Sequence, residues 1–299
     1  MQDFSFEKAS KFKDKDKFYD INYLFVPGLR WVVEELYSSL INPEMFILLS
    51  LVLGVVSAGF YAAGDYSYSI AGLILIFFKN YADTVDGYLA RARGVESRLG
   101  RFLDSIADAV VYICLFTGLA INLLHRDFGF AGFVLAYAAM ISAFLQCSVY
   151  NYYLVSYQTF LEGEGINRTD EGFREREKWS KQKTLSGKFL FILQLIYQII
   201  YGWQDCIVAS FDKALFRKFK NNNHALEEEE KNRLWYADKK FLSIVSPLCF
   251  GTQIILLCLF TLFDLIECYL WFMLIIGNIY GLVIMIWRVR KRLNLIVHD

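Results

Sequence analysis

The chain has 299 residues, of which 56% are hydrophobic and 17% aromatic, and its 31 basic residues balance 31 acidic residues. A chain with no net charge has no general attraction to nucleic acid, so no nucleic-acid partner is expected. The apolar residues form long runs between short charged blocks, a pattern typical of an all-α polytopic membrane protein rather than a soluble domain.

The first 41 residues carry charged and aromatic side chains but no continuous apolar run. Residues 1–20 alternate basic and acidic side chains, which predicts a cytoplasmic, partly disordered tail. Residues 21–41 set apolar Trp31 and Leu36 against Glu34. This pattern predicts an amphipathic helix on the membrane surface, and an ordinary helix packed on its own protein is the alternative.

Residues 42–157 contain the first four segments that are long and apolar enough to be predicted as membrane crossings. They run over 43–63, 67–82, 102–124 and 128–157. A charged stretch at 83–108 begins where the second segment ends and includes the start of the third segment. This stretch is therefore predicted to lie at the membrane boundary.

Four carboxylates in this stretch have the spacing of two helix faces. Asp83 and Asp86 are three residues apart, and Asp104 and Asp108 are four apart. On a helix each pair shares a face, with Cβ atoms about 5–6 Å apart. Two helices that brought the pairs together would crowd four negative charges, which is unfavourable unless cations lie between them. Mg²⁺ and Mn²⁺ prefer oxygen ligands, and two such ions about 3.5–4 Å apart serve phosphoryl chemistry.

Small residues and one arginine accompany the carboxylates. Gly87 and Ala90 leave room for a bulky ligand beside them, and Gly100 allows close approach of the backbone. Arg91 carries a forked cation that suits a phosphate group.

The stretch resembles the signature of the CDP-alcohol phosphotransferase (CDP-alcohol phosphatidyltransferase) family, D-x2-D-G-x2-A-R-x8-G-x3-D-x3-D, at all eight specified positions. The resemblance implies an integral membrane enzyme that transfers a substituted phosphoryl group from a CDP-linked alcohol to the hydroxyl of a second alcohol. CMP is released, and the reaction belongs to phospholipid synthesis. Two ions of Mg²⁺ or Mn²⁺, contact with membrane lipids and a homodimer are also expected from relatives.

The resemblance assigns roles to individual residues. Asp83, Asp86, Asp104 and Asp108 would hold the metal ions, and Asp108 would also be the general base for the acceptor hydroxyl. The nucleotide would contact Asp83, Gly87, Ala90, Arg91, Gly100 and Asp104.

The second half of the chain carries a less specific sequence pattern than the signature stretch. Residues 158–240 are predicted to be a charged cytoplasmic insert around one apolar segment, 189–209. Three polar residues at near-helical spacing, Gln194, Gln198 and Asp205, interrupt that segment. It is therefore expected to be interfacial or re-entrant. The last two crossings, 242–263 and 268–287, lie within 241–288, and a basic cytoplasmic tail follows at 289–299.

The distribution of Lys and Arg predicts the topology. Six crossings put the signature stretch, the insert and the basic tail on the cytoplasmic side, with the active site at that face. Counting 189–209 as a seventh crossing is the alternative, and it would move one basic block to the other side.

The choice of substrates is open at this stage. CDP-diacylglycerol with a polar alcohol as acceptor is the preferred pair, and a soluble CDP-alcohol such as CDP-choline or CDP-ethanolamine with diacylglycerol is the alternative. Relatives that use phosphorylated inositol carry an arginine motif late in the fourth crossing, whereas residues 148–158 contain no arginine. Arg174 and Arg176 are weak candidates for contacts to an acceptor phosphate, and a basic cytoplasmic loop is the alternative.

A cation transporter is a remote alternative, because intramembrane carboxylates also bind ions in transit. Such a protein would spread its carboxylates over several crossings, often with an inverted repeat. Here they crowd at one membrane edge, which favours the enzyme.

Overall fold

The computed structural model of this chain describes residues 6–12, 16–162, 185–224 and 226–293. Nearly all of these residues are helical, and no strand lies within these ranges. The α-helices, in chain order, are α1 (Phe6–Ala9), α2 (Leu29–Tyr37), α3 (Glu44–Ala62), α4 (Tyr66–Arg93), α5 (Arg98–His125), α6 (Gly129–Glu162), α7 (Leu185–Tyr197), α8 (Trp203–Asn222), α9 (Glu228–Tyr236), α10 (Lys239–Val245), α11 (Phe250–Leu262), α12 (Ile266–Trp271) and α13 (Gly277–Leu293).

Short segments of other helical geometry lie between some of these α-helices. Ile21–Phe25 and Ser246–Leu248 are 3₁₀ helices, which commonly serve as connectors. Gln198–Gly202 joins α7 to α8, and Phe272–Ile276 joins α12 to α13, as π-helical turns.

Membrane-crossing candidates follow from helix length and composition. In the described part of the chain, the stretches that qualify are Glu44–Ala62, Arg98–His125, Gly129–Leu161, Gly187–Asn222 and Ile266–Lys291. A sixth is added if the bent pair Glu228–Leu248 and Phe250–Leu262 is one crossing. The helix α4 is outside this set because Lys79, Asn80 and Asp83 interrupt its apolar run. The prediction of an all-α polytopic membrane protein is confirmed.

The apolar segment 189–209 was predicted to be interfacial or re-entrant. It lies inside one continuous helical stretch, Gly187–Asn222, that is long and apolar enough to cross a membrane. The polar stripe does not prevent this, because the side chains of Gln194 and Asp205 are buried within the protein. An interfacial or re-entrant path is thus not required by its polarity, and the choice between six and seven crossings stays a prediction.

The chain divides into two compact units. The first is Met1–Ile141 with Phe250–Leu274, and the second is Ser142–Cys249 with Ile275–Asp299. All eight signature positions fall in the first unit.

In the first unit, α3 packs closely against both α4 and α5. The hydroxyl of Ser57 donates to the carbonyl oxygen of Gly72 at 2.7 Å, which ties α3 to α4. A side chain at Gly118 would overlap the carbonyl oxygen of Ala58, so α5 approaches the backbone of α3 directly. Small residues allow this approach between membrane helices. The helix α3 therefore holds α4 and α5, the two helices of the signature, in one group.

The predicted amphipathic surface helix is present as α2 and is shorter than the expected range 21–41. Gly28, with φ +77°, precedes its first residue, and the preceding turns are 3₁₀. Leu29 and Val33 pack against Val85 and Leu89 of α4, whereas Trp31 on the other side is 75% exposed. The helix thus has one face on the protein and one apolar ring available to lipid.

The segment predicted as a partly disordered tail is packed in its described part. Ala9, Phe12 and Phe18 are buried, and the ring of Phe6 stacks on Tyr88 of α4 with centroids 5.5 Å apart. Its phenylalanines, spaced among the charges, account for this, because Phe6 packs on α4 and Phe12 packs on Phe18.

The second unit contains a fully buried carboxylate. Asp212 accepts hydrogen bonds from the hydroxyl groups of Tyr152 (3.1 Å), Tyr153 (2.5 Å) and Tyr236 (3.1 Å) and from the indole nitrogen of Trp235 (2.9 Å). The guanidinium of Arg288 lies 3.7 Å from it. The guanidinium also lies 4.0 Å from the ring centroid of Phe241 and 4.1 Å from that of Trp235. This polar cluster, Asp212 with its four donors and Arg288, has its charges paired within the unit.

Candidate metal and nucleotide site

The signature stretch forms two helices joined by a four-residue turn. Helix α4 ends at Gly94, whose φ of +64° places it in the left-handed region that closes helices. Helix α5 begins after Ser97, whose side-chain oxygen accepts from the backbone N–H of Gly100 at 2.9 Å. The short turn sets the last turns of α4 beside the first turns of α5.

Three of the four predicted ligands meet across this pair of helices. One carboxylate oxygen from each of Asp83, Asp104 and Asp108 lies within 4.8 Å of the other two. Asp86 is buried on α4 and lies outside this three-residue group. The side chains of Asp83 and Asp108 are 25% and 20% exposed, so the group is reachable from outside.

A lysine that the sequence analysis missed lies against this cluster. The Nζ of Lys79 is 3.3 Å from Oδ1 of Asp83 and also contacts Oδ1 of Asp108. Lys79 is only 1% exposed, so its charge depends on these carboxylates. Its position was a usable signal, because a lysine in an apolar run four residues before Asp83 shares the face of that aspartate.

The donor set fits a hard divalent cation. All three clustered groups are carboxylates, the ligand type that Mg²⁺ and Mn²⁺ prefer. Together with Asp86 they bring four carboxyl groups to one ammonium group, and cations would stabilise the ionised form of such a set.

The predicted nucleotide-binding positions on α4 share a partly exposed face. Asp83, Gly87 and Ala90 are partly exposed, whereas Val85 and Leu89 between them are buried against α2. This alternation follows helical periodicity, so the face that carries the predicted contacts is only partly covered by the residues that the structure describes.

The orientation of Arg91 is fixed by the N-terminal segment. Its Nε donates to the carbonyl oxygen of Ala9 at 2.8 Å, and its guanidinium lies 4.9 Å from the ring centroid of Tyr88. A Cβ at Gly87 would lie 3.3 Å from a terminal nitrogen of Arg91, so the glycine leaves space for the guanidinium. Gly100 has a different local role, since a Cβ there would lie 3.1 Å from Oγ of Ser97, the capping oxygen.

A second residue that the sequence analysis missed is Arg93. Its guanidinium donates to the carbonyl oxygens of Tyr37 (3.1 Å), Ser39 (2.8 Å) and Ile41 (2.6 Å), and also to that of Leu36. Carbonyl groups at a helix end have no partner within the helix, so Arg93 satisfies the end of α2. It thereby anchors the surface helix to the signature helix.

The two weak candidates for the acceptor phosphate, Arg174 and Arg176, lie outside the described residues. Their role stays a prediction.

Comparison with known proteins agrees with the signature. The family model described as CDP-alcohol phosphatidyltransferase matches residues 40–211, a range that includes every signature position. A phosphatidylinositol phosphate synthase from Streptomyces avermitilis is 36% identical over 83 residues. These residues are 27% of this chain and 32% of the relative, so the chain spans about a third of the length of the curated relative that it matches.

Proposed function

Because the chain belongs to the CDP-alcohol phosphatidyltransferase family, we propose that it transfers a phosphatidyl group from CDP-diacylglycerol to a polar alcohol and releases CMP. The observation that carries the proposal is the meeting of Asp83, Asp104 and Asp108 from two adjacent helices. In a polytopic membrane protein this cluster gives a lipid donor and a water-soluble acceptor a common place to react. We place this site at the cytoplasmic face, in agreement with the basic residues of the signature stretch.

The carboxylates of Asp83, Asp86, Asp104 and Asp108 would hold two ions of Mg²⁺ or Mn²⁺. What such ions supply is neutralisation of the charge that builds up on the pyrophosphate oxygens.

The protein's own base is Asp108. The acceptor oxygen forms a bond to the phosphorus that carries the lipid, the bond from that phosphorus to the CMP oxygen breaks, and the hydroxyl proton goes to the Asp108 carboxylate. The partly exposed position of that carboxylate supports this role, because an acceptor can reach it.

The nucleotide half of the donor is assigned to the open face of α4 and the start of α5. Asp83, Gly87, Ala90, Arg91, Gly100 and Asp104 form this proposed pocket. Arg91 supplies the forked cation for a phosphate oxygen, and its bond to the Ala9 carbonyl limits its rotamers before the donor arrives.

The relative's name, phosphatidylinositol phosphate synthase, supports a lipid donor for this chain as well. It favours phosphatidyl transfer over transfer of a head group from a soluble CDP-alcohol. The acceptor is proposed only as a polar alcohol.

The test is release of CMP by the purified chain in detergent with CDP-diacylglycerol, a panel of polar alcohols and Mg²⁺ or Mn²⁺. We expect CMP and a new lipid in equal amounts, loss of both with a chelator, and recovery when the metal is restored. We expect Asp108→Asn to lower turnover by at least about a hundredfold. Asp127→Asn is the matched control, since Asp127 is exposed in a turn with φ +65° that asparagine tolerates, and it should keep full turnover.

Two results would contradict the proposal. Full turnover by Asp108→Asn would remove the assigned base. Transfer from CDP-choline or CDP-ethanolamine to diacylglycerol, with no reaction of CDP-diacylglycerol, would reverse the assignment of donor and acceptor.

A further inference from the structure

Lys79 is a buried cation that contacts two of the clustered carboxylates from two different helices. It lies one turn before Asp83 on α4 and reaches Asp108 on α5. Its side chain is 2% exposed, so water contributes little to its solvation. A buried ammonium group needs paired charge and hydrogen bonds, and the carboxylates of Asp83 and Asp108 supply both.

The same oxygens are ligand candidates for a metal ion. Asp83 and Asp108 are two of the three residues whose carboxylate oxygens lie within 4.8 Å of one another. An ammonium group beside those oxygens repels a divalent cation and takes up part of their negative charge. It also connects a carboxylate of α4 to a carboxylate of α5.

We infer that Lys79 is a positioning residue that acts as a tethered monovalent cation within the metal site. It fixes Asp83 and Asp108 relative to each other, and it sets the affinity of the site for divalent ions by competing for their oxygens. The inference rests on the proposed metal site and goes beyond the signature, which does not include position 79.

The decisive variant is Lys79→Met, which keeps most of the length of the side chain and removes its charge. The protein is stripped of metal with a chelator in detergent, and Mn²⁺ is titrated while the free ion is followed by electron paramagnetic resonance. We expect the Kd for Mn²⁺ to fall by about tenfold or more in Lys79→Met. Lys79→Arg, which keeps the charge, should stay close to the parent.

Lys231→Met is the matched control. Lys231 is also a buried lysine with a carboxylate neighbour, Glu228, 3.9 Å away, but it lies on α9 in the second unit. Its replacement should leave the Kd for Mn²⁺ unchanged.

A second measurement, the Tm with and without Mn²⁺, tests the inference even if Lys79→Met is less stable than the parent. Without Lys79 the carboxylates repel one another, so we expect Mn²⁺ to raise the Tm of Lys79→Met more than that of the parent. Should the variant unfold whenever the metal is chelated, while the parent and Lys231→Met remain folded, the same inference is supported.

The outcomes separate this inference from the proposed function. If Lys79→Met binds Mn²⁺ with the parent's Kd or more weakly, and gains no extra Tm, the inference about Lys79 is wrong and the metal site stands. If neither the parent nor the variant binds Mn²⁺, the proposed metal site itself is wrong.

Discussion

At the scale of single residues, the strongest stability prediction concerns Asp212 in the second unit. Four donors and one guanidinium surround this carboxylate, and it is 0% exposed. Replacement by asparagine keeps the shape but leaves the buried charge of Arg288 without its partner. Removing one member of a buried pair typically destabilises by about 3–5 kcal/mol. We expect a loss of this size in the free energy of unfolding of Asp212→Asn, measured by denaturant titration in detergent.

The control for this prediction is Asp264→Asn. Asp264 pairs with Arg126 at 2.5 Å, but its side chain is 46% exposed, and exposed pairs contribute about 1 kcal/mol or less. Asparagine also tolerates the φ of +56° at this position. If the two variants lost the same free energy of unfolding, the buried ion pair would contribute no more to stability than the exposed one.

The spacing of the signature identified residues of the candidate site, but it did not identify contacts made between different elements. Four aspartates were predicted to meet. Asp83, Asp104 and Asp108 do so because the short turn sets the last turns of α4 beside the first turns of α5, whereas Asp86 lies outside their group. The pairing of Lys79 with Asp83 four residues later could have been found from spacing on α4. Its contact with Asp108, 29 residues away on α5, could not, and neither could the pairing of Arg93 with carbonyl groups of α2 and the residues after it. Such pairings arise from tertiary packing, which spacing along one helix does not encode.

At the scale of elements, the packing of α5 on α3 depends on missing side chains. A Cβ at Gly118 would overlap the backbone carbonyl of Ala58, and a Cβ at Gly54 would lie 2.5 Å from the methyl groups of Val111. Backbone atoms cannot rotate away as a side chain can. We expect Gly118→Ala to destabilise the protein by about 1–3 kcal/mol, the usual effect of overpacking, seen as a lower Tm in detergent.

Gly59→Ala on α3 is the matched control for this packing prediction. Among the residues that the structure describes, no atom lies within 4 Å of the Cβ position at Gly59 beyond its own helix surroundings. Alanine also favours helix over glycine by about 1 kcal/mol, so this variant should keep or raise the Tm. If the two variants behaved alike, the close contact of α3 and α5 would not be a source of stability.

Helix positions were predicted well and helix lengths less well. The predicted crossings 43–63, 102–124 and 128–157 coincide with α3, α5 and α6. The apolar run 67–82 marked only part of α4, which continues to Arg93 because backbone hydrogen bonding persists beyond the apolar residues. Hydrophobicity reports where a helix can contact lipid, while its end is set by Gly94.

At the scale of the whole molecule, the helices alone do not decide whether the chain crosses the membrane six or seven times. The distribution of lysine and arginine favours one of these topologies. The stretch Gly187–Asn222 has the length and composition of a crossing, yet a crossing there would separate the basic residues that follow it from the signature stretch. Positively charged loops are retained on the cytoplasmic side during insertion. The sequence therefore favours a path in which residues 210–240 and the signature stretch face the same side.

This prediction is checked by labelling single cysteines with a membrane-impermeant maleimide, in a background from which the six native cysteines have been removed. Val95→Cys reports the signature turn, Ser67→Cys at the start of α4 reports the side of the turn before it, and His224→Cys reports the residues just after α8; all three positions are exposed. We expect His224→Cys to label from the same side as Val95→Cys and opposite to Ser67→Cys. Labelling of His224→Cys from the side of Ser67→Cys would establish Gly187–Asn222 as a crossing. The positive charges that follow it would then lie outside, and seven crossings would replace six.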